Sequence, residues 1–191
     1  MKLNIPNVLT WLRIAAIPLF VAVLYVDEAW LTVRQANIVA TGIFIAAAVT
    51  DWFDGYLARR LNQTSAFGAF LDPVADKLMV AAALIVLVEL GRVHAIVALI
   101  IIGREITISA LREWMAKIGA AKSVAVSFIG KLKTAAQMIA IPLLLFHDPL
   151  GPLAPQLLGT WLIYIAAVLT LWSMGYYLRK AWPDIVARSY E

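Results

Sequence analysis

Asp51, Asp54, Asp72 and Asp76 fall within 26 residues of a chain in which only 15% of residues are charged. Four carboxylates present hard oxygen donors, which select Mg²⁺, Mn²⁺ or Ca²⁺ over softer metals. Their four negative charges match two divalent ions, and two such ions about 4 Å apart suit an in-line displacement at phosphorus. The spacing supports a shared site. Asp51, Asp54, Gly55, Ala58 and Arg59 stand at i, i+3, i+4, i+7 and i+8, on one face of a helix, and Gly68, Asp72 and Asp76 follow at i, i+4 and i+8, again on one face. Only Leu61–Phe67 separates the two stretches, so the helices are antiparallel neighbours whose faces can meet. Gly55, Ala58 and Gly68 leave those faces bare enough for a nucleotide or a metal-bound phosphate to approach the backbone.

Composition sets the elements that must position these faces. Of 191 residues, 63% are apolar, and the mean hydropathy is +0.85. A soluble domain carries more charge. Several apolar runs exceed the roughly 20 residues that cross a bilayer, where backbone polar groups can be satisfied only in helices or closed barrels. The runs are continuous rather than alternating, so helices are expected. Six spans fit, at about Val8–Val26, Val33–Arg60, Gly68–Leu90, Ile96–Ala116, Val124–Phe146 and Leu157–Ala181. The expected fold is therefore an all-α integral membrane protein, a six-transmembrane-helix bundle forming a single domain over 1–191. A short interfacial segment over Leu3–Thr10 is expected to precede the first span.

Depth sharpens the site. At about 1.5 Å per residue, Asp51 lies roughly 13 Å inside the end of its helix and Asp76 roughly 12 Å inside the start of its own. Unpaired acids at that depth cost several kcal/mol each, so cations must sit among them. Arg59, Arg60 and Lys77 are too few and too peripheral to serve as salt-bridge partners for all four.

Orientation follows from the basic residues. The termini and even-numbered loops, with adjacent helix ends, hold fourteen Lys and Arg, whereas the other side holds only Arg34 and Arg92. Basic loops stay cytoplasmic, so both termini and the acids are expected to face the cytoplasm. The net charge of +4 fits loop asymmetry and contact with anionic membrane lipids, not a nucleic-acid surface. The absence of cysteine excludes thiolate metal sites. Leu9–Val26 is long for a signal-peptide core and contains Pro18, so it is read as a retained span.

Asp51-x2-Asp54-Gly55-x2-Ala58-Arg59-x8-Gly68-x3-Asp72-x3-Asp76 resembles, without a departure, the signature of the CDP-alcohol phosphatidyltransferases. Asn4–Thr10 with Arg13, Leu71–Lys77, Arg104-Glu-Ile, Ala110–Trp114 and Gly130–Thr134 are similar to the bacterial branch of that family that makes phosphatidylglycerophosphate. The resemblance implies that Asp51, Asp54, Asp72 and Asp76 hold two divalent cations, Mg²⁺ or Mn²⁺, with Asp76 doubling as general base. It implies that Gly55, Ala58, Arg59, Thr64 and Ser65, with Gly68 at the mouth of the facing helix, bind the CDP-lipid. The implied reaction transfers a phosphatidyl group from CDP-diacylglycerol to sn-glycerol 3-phosphate and releases CMP. A homodimer is implied as well.

A phosphorylated acceptor needs cations of its own. Arg104 lies about 18 Å into the fourth span, a costly depth unless it lines a wet cavity or meets an anion. Arg112 follows at i+8, and Lys131 sits about 10 Å into the fifth span. These three are the expected acceptor-binding residues, through guanidinium forks and an ammonium point charge. Lys133, on a different face from Lys131, is expected to snorkel. A pair between Arg104 and Glu105 is disfavoured, because adjacent helix residues point about 100° apart. Inositol phosphate and phosphatidylglycerol also carry phosphate, so the cations leave those acceptors open. A divalent-cation transporter would likewise bury carboxylates, but it needs polar groups through both leaflets, and the outer halves of these spans hold almost none. A structural metal site would not require Arg104 or Lys131.

Overall fold

The computed structural model describes residues 5–61, 66–120 and 128–188, and its side-chain description leaves out 5–7, 52–61, 66–67, 69 and 188. Six helices occur among the described residues: α1 (Ile5–Val23), α2 (Val33–Leu61), α3 (Ala66–Glu89), α4 (Ala95–Lys117), α5 (Phe128–Phe146) and α6 (Pro155–Arg188). Each expected span corresponds to one helix, with ends shifted by a few residues. Two expectations need adjustment. Ile5–Thr10 are the first turns of α1, not a separate segment, because nothing in Ile-Pro-Asn-Val-Leu-Thr breaks a helix once proline sits in its first turn. At the other end α6 continues to Arg188, through Pro183, well past the expected Ala181.

Local signals explain several boundaries. Thr32 and Gln35 form a reciprocal capping box before α2: the Thr32 amide donates to Gln35 Oε1 at 3.0 Å, and the Gln35 amide donates to Thr32 Oγ1 at 3.3 Å. The His94 side chain accepts the Ile96 amide at the start of α4. Gly91 and Gly119 stand just past α3 and α4 with φ of +68° and +74°, a left-handed conformation that glycine adopts without steric cost. Amides beyond them return to the last turns, Arg92 to Leu87 O and Ala120 to Met115 O, both at 2.8 Å.

The helices over Val33–Asp51, Phe128–Phe146 and Pro155–Ala187 contain stretches long and apolar enough to cross a membrane, and Val8–Val23 is a shorter apolar helix. Helices α3 and α4 have 24 and 23 residues. What sets them apart is the charge within them, including Asp72, Asp76 and Lys77 on one and Arg104, Glu105 and Arg112 on the other. Large apolar side chains face outward along the bundle, including Leu99 (71% exposed), Val168 (64%) and Trp172 (68%), as a bilayer solvent allows.

All six helices contribute to one buried apolar core, through Phe20, Phe44, Leu84, Leu87, Ile101, Ile141, Leu144 and Ile163 among others. The Phe20 and Phe44 rings lie 6.4 Å apart and tilted by 56°. A smaller cluster joins Ile108 and Met115 of α4 to Tyr177 and Ala181 of α6. At the end of the bundle near Gly91, Arg92 ties three elements together. It donates to Leu144 O at 3.2 Å, to Leu145 O at 2.7 Å and to Asn37 Oδ1 at 2.8 Å, satisfying carbonyls of the last turn of α5.

Helices α5 and α6 pack tightly at Gly159. A Cβ placed there would lie 2.8 Å from Leu144 Cγ and 3.2 Å from the Ala140 carbonyl oxygen. Neither is the free end of a flexible side chain, so the helices must separate to admit it. Gly159→Ala is expected to cost about 1–3 kcal/mol, the usual range for overpacking. Thermal unfolding in detergent checks this: the midpoint should fall by several degrees, and an unchanged midpoint would show that the contact yields freely.

Candidate active site

The acids are positioned by three helices. On α1, the buried stripe Thr10, Arg13 and Phe20 follows helical spacing and faces the bundle. From it Arg13 Nη1 donates to Asp51 Oδ1 of α2 at 2.5 Å, and Thr10 Oγ1 donates to Asp72 Oδ1 of α3 at 2.5 Å. Arg13 is 3% exposed, so this cation sits inside the bundle, where its attraction for Asp51 is weakly screened. Sequence reasoning gave α1 no role at the acids. The signal was available: Thr10 and Arg13 are polar residues three apart on the stripe that continues to Phe20.

Asp51 and Asp76 line one cavity together with Arg13, Phe44, Ala48, Val80 and Met138. Its charged lining is one cation against two carboxylates, and it holds no imidazole or thiolate, a donor chemistry that fits a hard divalent ion. Among the described residues no group of three or more His, Cys, Asp or Glu stands together as a cage. The Asp54 side chain lies outside the described residues, as do those of Ala58 and Arg59. Gly55 is placed only by the backbone of α2. Thr64 and Ser65 are outside the described residues altogether. Gly68 is buried in the first turn of α3.

Asp76 also lines a second cavity, with Lys77, Glu105, Lys133, Thr134 and Gln137. Here the expectations for α5 are reversed. Lys133 is 2% exposed and its ammonium donates to Glu105 Oε1, whereas Lys131 is exposed. The reason is the rotation of α5 about its axis. Its buried residues, Gly130, Lys133, Gln137, Ala140, Ile141 and Leu144, run at three- and four-residue intervals, and Lys131 falls off that stripe. That periodicity was legible in the sequence and points to Lys133.

The Arg104–Glu105 contact, disfavoured on helical geometry, is also present: Arg104 Nη1 donates to Glu105 Oε1 at 3.3 Å. The arginine side chain is long enough to curl round the helix to its neighbour. Glu105 thus receives Arg104 and Lys133 on one oxygen. Arg104, 6% exposed, further donates from Nη2 to Ser173 Oγ of α6 at 3.2 Å. Its guanidinium carbon lies 5.6 Å from the centre of the Tyr177 ring, and that of Arg112 lies 5.3 Å from the same ring. The structure therefore sets Arg104 and Arg112 against one ring, and adds Lys133, Glu105, Ser173 and Tyr177 to their surroundings, none of which sequence reasoning placed in the site.

Two apolar grooves leave the acids sideways. One, between α2 and α5, shares Phe44, Ala48 and Met138 with the Asp51–Asp76 cavity and runs to Val49 and Pro142. The other, between α1 and α2, starts at Arg13 and is lined by Leu12, Ala16, Leu19 and Ile43. A ligand with a diphosphate head and two hydrocarbon chains matches this arrangement of charge and grease.

A family model described as CDP-alcohol phosphatidyltransferase matches residues 3–172. Among similar proteins, one from Yersinia enterocolitica and one from Pectobacterium atrosepticum are each 52% identical to this chain over 188 residues, covering 97% of it and 99% of the relative. One from Salmonella typhimurium is 50% identical over 190 residues, with the same coverage. All three bear the name CDP-diacylglycerol–glycerol-3-phosphate 3-phosphatidyltransferase. The extent of these matches settles the family: this chain is a member of the CDP-alcohol phosphatidyltransferases.

Proposed function

We propose that this protein transfers the phosphatidyl group of CDP-diacylglycerol to sn-glycerol 3-phosphate, giving phosphatidylglycerophosphate and CMP. The observation that carries this reading is the position of Asp76 on both cavities. On one side stand Asp51, Arg13 and the mouths of the apolar grooves, suited to a lipid diphosphate. On the other stand Lys133, Glu105 and, through Glu105, Arg104, suited to a small phosphorylated alcohol. A residue between a donor chamber and an acceptor chamber is where a proton must be taken as one substrate attacks the other. The relatives' shared name supports the same substrates.

Asp51, Asp54, Asp72 and Asp76 would hold two divalent cations, Mg²⁺ or Mn²⁺, which when bound supply charge neutralisation at the diphosphate. The chain's own groups do the rest. Thr10 and Arg13 hold Asp72 and Asp51 in place by hydrogen bonds. Asp76 accepts the proton of the acceptor's 1-hydroxyl as that oxygen attacks the β-phosphorus. The bond from that phosphorus to the CMP oxygen breaks, and CMP leaves with the electron pair. Gly55, Ala58, Arg59, Thr64, Ser65 and Gly68 bind the CDP-lipid, whose chains lie in the apolar grooves. Arg104 and Arg112 bind the acceptor phosphate. Lys131 is the weaker member of the expected set, since it is exposed, and Lys133 takes its place beside the cavity.

The whole chain, 1–191, acts as one domain with six spans in a bacterial inner membrane, with termini and site toward the cytoplasm, and as a homodimer. The excess of Lys and Arg on one side supports the orientation. The family resemblance is what supports the dimer.

An acceptor panel tests the reaction directly. Purified protein with CDP-diacylglycerol and Mg²⁺ should release CMP with glycerol 3-phosphate, and not with inositol phosphate, phosphatidylglycerol or serine. Asp76→Asn should lower turnover about 10²–10⁴-fold while the thermal unfolding midpoint stays put. Near-normal turnover in that variant at saturating substrates would remove Asp76 as the base. Arg104→Ala should raise the KM for glycerol 3-phosphate roughly 10–100-fold, the effect of losing charge-assisted hydrogen bonds, with a much smaller change for CDP-diacylglycerol. Equal effects on both constants would place Arg104 outside the acceptor site.

A further inference from the structure

Helix α6 lies outside the acid signature, yet it provides the surface on which the two arginines of α4 converge. Arg104 and Arg112 are eight residues apart, so their Cα atoms are about 12 Å apart along the helix axis. Left to themselves, two guanidinium groups in a buried setting repel and spread. Instead both lie within 6 Å of one ring, that of Tyr177, which is fully buried and packs with Ile108 and Met115. One turn earlier on α6, Ser173 accepts from Arg104 Nη2 while donating to Thr170 O, which fixes its own orientation. The π face of an aromatic ring attracts cations, most strongly where water is excluded. Each arginine also keeps a buried Nε–H without a hydrogen-bond partner. Such donors are costly to leave unmade, and they stand ready for an anion.

We infer that Tyr177 is a positioning residue for the acceptor, its ring gathering Arg104 and Arg112 into a preformed pocket for a phosphate monoester. This rests on the reading of glycerol 3-phosphate as the acceptor. Without the ring, the two arginines separate, and the acceptor's phosphate must bear the cost of drawing them together. The donor lipid binds elsewhere and is indifferent to the change.

The test replaces Tyr177 by phenylalanine and then by mono-, di- and trifluorophenylalanine, introduced as unnatural amino acids in the full chain. Fluorine drains the ring face of negative charge while leaving its size nearly constant, so packing and folding are held steady. Along this series the KM for glycerol 3-phosphate, and its Kd by calorimetry, should climb about tenfold, in step with the loss of cation attraction. The KM for CDP-diacylglycerol and kcat should stay within about twofold. A flat KM and Kd across the series would overturn the inference, as would a parallel rise in the KM for both substrates. Failure of the reading beneath it looks different: Y177F and the unaltered protein would both fail to release CMP with glycerol 3-phosphate.

Discussion

Charge buried among apolar helices must be neutralised where it stands, and the rest of this structure follows from that constraint. A carboxylate inside such a bundle has little water to call on, and its field reaches further than at a surface. Three of the described acids answer this by reaching to another helix. Asp51 meets Arg13, Asp72 meets Thr10 and Glu105 meets Lys133. These contacts join α1 to α2, α1 to α3 and α4 to α5. These polar contacts therefore also fix which helices are neighbours. The apolar core supplies most of the contact area, but oily helices can slide past one another, and directed hydrogen bonds cannot.

The same constraint divides the site into two electrical compartments. Around Asp51 and Asp76 the described lining is net negative, a setting for cations. Around Arg104 and Arg112 the arginines stand over a tyrosine ring, with Glu105 neutralising Lys133, a setting for an anion. Asp76 and Glu105 face one cavity between them. Opposite fields thus stand on either side of one carboxylate.

Much of this was legible in the chain itself. Six apolar runs gave six helices, and the acid spacing placed Asp51 and Asp76 in one cavity, because helical periodicity and a short loop leave little choice. The errors share a cause. Depth along a helix can be counted from its ends, but rotation about its axis is set by what packs against it. Lys131 and Lys133 have nearly the same depth and opposite fates, and only the buried stripe through Gly130, Gln137 and Ala140 tells them apart. The Arg104–Glu105 contact was hidden for another reason: backbone directions bound where a Cβ points, not where a long side chain ends. Tyr177 carries no charge and sits in a span without acids, so no pattern of chemistry drew attention to it.

The sequence separations of two inter-helix ion pairs bear on how the chain is made. Arg13 precedes Asp51 by 38 residues, so when α2 is synthesised the partner for its deep acid already exists. Glu105 is made 28 residues before Lys133. At about 5–20 residues per second, α4 waits for seconds with that acid unmatched by α5. Arg104, its immediate neighbour, is made alongside it, and Lys77 of α3, which lines the same cavity, precedes it. A contact that looks redundant in the finished protein thus helps to neutralise Glu105 before Lys133 exists.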